Sequence, residues 1–209
     1  MPIKSKTLKS ILNNVLNQFD SKVFRINRSS LCTYCKSKIK GHNNLVEIGS
    51  NCRLLDCTFF IKGNNNHIVI EEDCMLDNVS FWISDDNNFI KLGRSITIGK
   101  RCEFAALEGC QIVVGDNCLF SHDIRLRTSD SHSIIDVSGK RINPAKDISI
   151  GKHCWIGMQS LFLKGAYVGD DCIVGARSMV SHEFGSNMVI AGQPARILKE
   201  DVNWNVKRL

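Results

Sequence analysis

Residues 150–180 read IGKHCW IGMQSL FLKGAY VGDDCI VGARSM V. Ile150, Ile156, Phe162, Val168, Val174 and Val180 recur every six residues, and a small residue follows four positions after each of the first five: Cys154, Ser160, Ala166, Cys172 and Ser178. Six is the period of neither a helix nor a continuous strand. It fits a repeat made of one short strand and one turn. Cys154 and Ile156, two apart, then share a face of the strand, and glycines in the same phase, such as Gly157 and Gly175, suit the tight corners. Three such strands close a triangular coil, and stacked coils bury one another's inner faces. The spacing therefore predicts a parallel β-helix, an all-β solenoid.

With 209 residues, 43% of them hydrophobic, the chain is large enough to bury a core of its own. No apolar run approaches the roughly 20 residues of a membrane-spanning helix, and MPIKSKTLKS lacks the apolar region of a secretory signal. A cytoplasmic protein is expected. Six of the ten cysteines (Cys52, Cys74, Cys102, Cys118, Cys154 and Cys172) lie four residues after a repeat hydrophobic, so they read as small inward-facing core residues. Cys32 and Cys35 form a lone CxxC without a second pair, read as a reduced structural pair rather than a zinc or redox site. No metal is implied. The net charge of +6 tolerates an acidic partner without demanding one. Scattered basic residues and the lack of a recognisable module argue against nucleic acid.

Leu8, Ile11, Leu12, Val15, Leu16 and Phe19 form the stripe of an amphipathic helix over 5–20, expected to cap the open end of the solenoid. Its basic character leaves peripheral membrane contact open. Residues 21–42 carry no readable pattern, so 1–42 are taken as helix and lead-in. Asn43-Asn44, Asn65-Asn66 and Asn87-Asn88 then recur at a spacing of 22, read as whole coils with enlarged corners. The β-helix is expected over 43–190. Its phase breaks at 128–148, TSDSHSIIDVSGKRINPAKDI, a polar loop pushed out between regular coils. Residues 191–209 form a C-terminal extension, with a short helix expected from Leu198 to Leu209.

The hexapeptides of 150–180, the loop running into INPAKDISIGKHCWIG and the closing AGQPAR resemble the left-handed β-helix acyltransferases that use acetyl-CoA. RTSDSHSI, GKRIN, KDISIG and CWIG resemble in particular the O-acetyltransferases of polysialic acid and capsular polysaccharides. The resemblance implies a left-handed coil, a homotrimer and acetyl-CoA in a groove between neighbouring subunits. Spacing by itself sets no hand.

Acetyl transfer to a sugar hydroxyl needs a general base, donors for the developing oxyanion and alignment of both substrates. Of six histidines, His132 sits in the protruding loop and matches the family's loop histidine, which implies the base; His122 is the rival. Asp130 or a backbone carbonyl would orient it. Trp155 should face outward, and in the resembling enzymes this tryptophan lines the acceptor and thioester site, with a backbone amide near Trp155–Gly157 as oxyanion donor. The resemblance further implies that Gly157, Gly175, Ala176, Ser178, Ala191, Pro194 and Ala195 line the cofactor groove; its phosphates call for cations, and Lys164, Arg177, Arg196 and Lys199 are available. Arg125, Arg127, Arg141 and Lys146 surround the loop and are candidates for an acceptor carboxylate, Arg127 and Lys146 foremost.

The function expected is therefore O-acetylation of a cell-surface polysaccharide through a ternary complex. An N-acetyl- or small-molecule acetyltransferase on the same scaffold and a non-catalytic polysaccharide-binding solenoid are the alternatives.

Overall fold

The computed structural model describes residues 19–207. The helix expected over 5–20 falls almost wholly outside them. Within them the chain winds through three parallel sheets in rotation, one eight-stranded, one nine-stranded and one seven-stranded, called A, B and C below. Ile150 of sheet A pairs with Val168, Ile156 of sheet B with Val174, and Phe162 of sheet C with Val180. Six residues carry the chain to the next face and three faces to the next coil, so every repeat hydrophobic points into one buried column. The seven-stranded sheet C adds an inward aromatic column, with Phe59 stacked on Phe81 and Phe81 on Phe104 at centroid distances of 5.1 and 5.7 Å.

The first coil starts earlier than the expected residue 43: Phe24–Ile26 pairs with Leu45–Ile48 in sheet A. Outward apolar residues such as Leu31 and Tyr34 blur the alternation there and hide the coil from pattern reading. The asparagine repeat marks corners as expected, with Asn43, Asn65 and Asn87 at φ of 54°, 57° and 62°. The residue after each does more. Asn44, Asn66 and Asn88 are buried, and Asn66 and Asn88 each donate from Nδ2 to the Oδ1 of the asparagine one coil earlier, at 3.1 and 3.2 Å.

All ten cysteines are unbridged, and the six repeat cysteines are buried. Burial pushes the thiols of Cys102 and Cys172 up to about 11, which leaves them protonated at neutral pH. Cys32 and Cys35 are buried within the first coil.

At the other end the coil continues beyond Val180. Glu183–Phe184 joins sheet A, and Val189–Gly192 joins sheet B before turning back as an antiparallel strand, Ala195–Lys199. The helix expected from Leu198 does not form in the described residues. The edge of sheet B offers the segment a ladder, and the remainder is held extended across the coil: Val202 N donates to Asn187 O at 3.0 Å, and Trp204 Nε1 to His153 O at 2.7 Å. No helix among the described residues is long and apolar enough to cross a membrane.

Candidate active site

The loop leaves sheet C after Arg125–Arg127 and returns to sheet A at Ile148–Ile150, so it projects from the C–A corner. One residue organises it. Asn143 is buried, and its Nδ2 donates to Asp130 Oδ2 at 2.8 Å and to the backbone oxygen of His132 at 2.9 Å, while its Oδ1 accepts from Ile134 N at 2.7 Å. Both Nδ2 partners are pure acceptors, which settles the orientation of the amide. Lys164 pairs with Asp130 and donates to Asn143 O at 3.1 Å. A second brace comes from Glu108, whose carboxylate takes both guanidinium nitrogens of Arg141 at 2.6 and 2.9 Å and accepts from Ser129 Oγ.

These contacts leave their mark on the carboxylates. Arg141, then Ser129, hold Glu108 at about 2. Lys164, then Asn143, keep Asp130 below its ordinary value. The His132 backbone is thus gripped on both sides, through Asn143 at its carbonyl and through the Ser131 amide, which donates to Ser129 Oγ at 2.9 Å. The side chain stays exposed, and the cavity beneath it, about 470 Å³, is lined by Arg127, Ser129, Asp130, Ser131, His132 and Leu163.

Several expectations change here. Asp130 is engaged by Lys164 and Asn143, so it positions His132 through the backbone rather than through the ring. Lys164, expected at the cofactor's phosphates, is drawn into the loop by the Asp130 charge. Arg127 does line the His132 cavity, 3.5 Å from Glu103 Oε1, a buried oxygen that receives no hydrogen bond. The spacing is that of a loose ion pair. Lys146 stands at the foot of the loop, where its backbone N donates to Thr128 O, and is not part of that cavity. The rival His122 is tied to a corner, its Nδ1 accepting from Lys100 N at 2.9 Å.

Trp155 lies on the outer face of sheet B, 43% exposed. It lines a groove of about 310 Å³ with Gly157, Met158, Gly175 and Ala176. The two glycines leave no room for a side chain: a Cβ on Gly157 would come within 2.5 Å of Ala176 N, and one on Gly175 within 2.8 Å of Ala191 Cβ. Pro194, Ala195, Arg196 and Lys199 gather on the hairpin beyond it, with Arg196 opposite Ala191. Ser178, expected in the groove, faces inward instead, its hydroxyl donating to Gly175 O at 2.7 Å. The amides of Trp155 and Gly157 are bonded to Cys172 O and Val174 O, so neither is free to donate to an oxyanion.

Sequence reasoning missed Asn143, the Glu108–Arg141 brace and Trp204. Trp204 stacks on His153 at 4.6 Å and lies 6.0 Å from the Trp155 ring. The asparagine in INPAKD was visible; that its amide would bridge two turns of its own loop was not.

Comparison with known proteins identifies relatives with this fold. The family model for the bacterial transferase hexapeptide matches residues 147–182. A polysialic acid O-acetyltransferase of Neisseria meningitidis is 32% identical over 198 residues, which cover 94% of this chain and 87% of that protein. One from Escherichia coli O1:K1 is 35% identical over 114 residues, but the match spans only 37% of that relative's length. The solved structure of a polysialic acid O-acetyltransferase superimposes with a TM-score of 0.84 at 31% identity, covering 90% of this chain and 89% of the other.

Proposed function

Given that this chain belongs to the hexapeptide-repeat acyltransferases, in the group of the polysialic acid O-acetyltransferases, we propose that it transfers an acetyl group from acetyl-CoA to a hydroxyl of an acidic cell-surface polysaccharide. The observation that carries this reading is the gripped loop: Asn143 holds the His132 carbonyl and Ser129 the amide of the adjoining Ser131, beside a cavity into which Arg127 brings a positive charge.

Acetyl-CoA supplies the activated acyl carbonyl. The groove fits its narrow pantetheine arm, because Gly157, Gly175 and Ala176 line it with at most a methyl group each, and Arg196 and Lys199 on the hairpin stand ready for its phosphates. His132 takes the proton of the sugar hydroxyl as the oxygen attacks and returns it to the leaving thiolate, a role for which imidazole is suited near neutrality. Asn143 keeps the imidazole aimed. Transfer proceeds in a ternary complex, since the burial of the repeat thiols disfavours a cysteine nucleophile.

The loop and the groove are at different corners of one coil. The loop springs from the C–A corner; the groove opens on sheet B toward the B–C corner, and a sheet C strand such as Leu161–Phe162 lies between. This separation supports a homotrimer in which the loop of one subunit meets the groove of its neighbour. Sheet B carries the outward Leu31, Leu55 and Met75 that such packing would cover.

The test is cleavage of the acetyl-CoA thioester, followed as free thiol, with polysialic acid, other acidic capsule polymers and neutral dextran. Acceleration by an acidic polymer is the expected result. Acceleration by none of them would overturn the acceptor assignment, and failure to bind acetyl-CoA would overturn the activity.

A further inference from the structure

The outer face of sheet C differs from that of sheet A. Across its registered strands it carries Lys36, Lys38, Lys40, Lys62, Arg125 and Arg127 against one carboxylate, Glu103. The charges on sheet A are largely paired: Arg25 and His67 both meet Glu47, and Lys91 meets Glu71 at 2.9 Å. The four lysines of sheet C have no ion pair among the described residues.

Among these cations stands an outward-facing aromatic pair. Phe60 and Trp82, neighbours in the register, stack face to face on the outside of the sheet at 4.1 Å and 18°, and Lys38 Nζ lies 5.9 Å from the Phe60 ring. Trp82 remains 41% exposed. An exposed flat aromatic surface is costly in water unless something covers it. The same column runs on through buried Ala105 to Arg127, which lines the cavity beneath His132. With coils roughly 4.8 Å apart, Lys38 to Arg127 spans about 19 Å along the solenoid axis.

We propose that this column, Lys38–Phe60–Trp82–Arg127, is an extended binding track for an acidic sugar polymer, which it guides toward the His132 loop. The aromatic pair offers a plane for the apolar face of a sugar ring, the flanking lysines offer charge to its carboxylates, and the end of the track at the loop makes the polymer, rather than a free monosaccharide, the preferred acceptor. The proposal rests on the acceptor class argued above. A single-stranded nucleic acid could also stack and pair on such a face, but it would have no use for a track that ends at an acetyl-transfer loop.

The test separates the two readings by measuring binding and turnover independently. Full-length wild-type protein, Trp82→Ala, Lys38→Glu, Trp82→Phe and Lys91→Glu are titrated with long polysialic acid, a three-residue sialic acid oligomer, dextran and single-stranded DNA. Acetylation of the same sugars is followed in parallel. Expected is a polymer affinity at least about tenfold weaker, with a matching rise in KM, for Trp82→Ala and Lys38→Glu. Trp82→Phe should retain most of the affinity, and Lys91→Glu, with the same charge change on sheet A, should match wild type. Equal polymer binding by wild type and both track variants would overturn the track, as would equal losses in Lys91→Glu or DNA binding as tight as that of the polymer. If polymer binds on the track but no sugar is acetylated, the track stands and the proposed acceptor chemistry falls.

Discussion

The two halves of this solenoid build the same triangular section at different coil lengths. From Phe24 to Ala106 corresponding residues recur at a spacing of 22, as in the Asn44–Asn66 pair, widening to 23 between Val79–Ile83 and Cys102–Ala106; from Ile150 to Val180 the spacing is 18, as between Lys152 and Asp170. In the first half the sheet C strands are five residues long, as in Thr58–Lys62 and Val79–Ile83; in the second they shrink to two, as in Leu161–Phe162 and Met179–Val180. The long coils close their corners with side chains, the buried asparagines bonding coil to coil. The short coils close theirs with glycine and with inward hydroxyls such as Ser160, which donates to Gly157 O at 2.8 Å. The difference teaches a division of labour. Wide coils give a broad outer face and redundant internal bonding, whereas narrow, glycine-cornered coils leave backbone exposed along a thin groove where a ligand can approach it.

If that division is real, substitutions in the two halves should fail differently. The largest effect belongs to His132→Ala, expected to lower the rate of acetyl transfer by at least about 100-fold without moving the melting temperature, since the side chain is exposed. A variant within a few-fold of wild type would remove His132 as the base. Asn66→Ala should do the reverse. It strips the buried Asn88 amide of its acceptor, which costs about 1–3 kcal/mol, or roughly 2–4 °C of melting temperature per kcal/mol in a chain of this size. Turnover at 25 °C should be untouched; a variant as stable as wild type would show that the ladder is ornamental.

Gly157→Ala probes the narrow half. Its Cβ would press within 2.5 Å of Ala176 N and push apart the two coils that line the groove, so acetyl-CoA should bind about tenfold more weakly, a loss of about 1.4 kcal/mol, by calorimetry. Unchanged affinity would move the cofactor elsewhere. The smallest effect is a pH dependence of the loop. The Glu108 carboxyl is held at about 2 against an ordinary 4.5. A depressed folded value means that the stabilisation is fully present above about 4.5 and is lost as the pH falls toward 2. Solvent exposure keeps it small. Hydrogen exchange in residues 128–147 of wild type and Glu108→Gln should therefore converge as the pH is lowered through that window, and a constant difference would assign the brace to packing instead of charge.

The regular coils were legible because inward positions recur without interruption: Ile150 to Val180 predicts its own register, and the repeat cysteines fell in the core as their phase required. The loop was legible as a break in that phase. The first coil was not, because its outward Leu31 and Tyr34 dilute the pattern. Nor was the terminal strand, because whether Ala195–Lys199 extends or coils depends on the open edge of sheet B, which local propensity does not contain. Among candidate site residues, the glycines and Trp155 were placed together by repeat phase. Lys164 lies in the loop and Ser178 faces inward because a charge at a corner and a hydroxyl in a small-residue position each answer to the nearest partner in space.

What the sequence determined by itself is therefore whatever follows from period: the solenoid, the inward columns, the position of the loop and the family those motifs resemble. What only the tertiary structure decided is the company each polar group keeps. Asn143 became the keystone of the His132 loop, and Lys164 its brace, because folding brings Asp130 and the loop's return strand within hydrogen-bonding reach across the C–A corner. Hydrophobic burial is read along the chain, one residue at a time, but hydrogen bonds and ion pairs are chosen by distances that exist only after the coils have stacked.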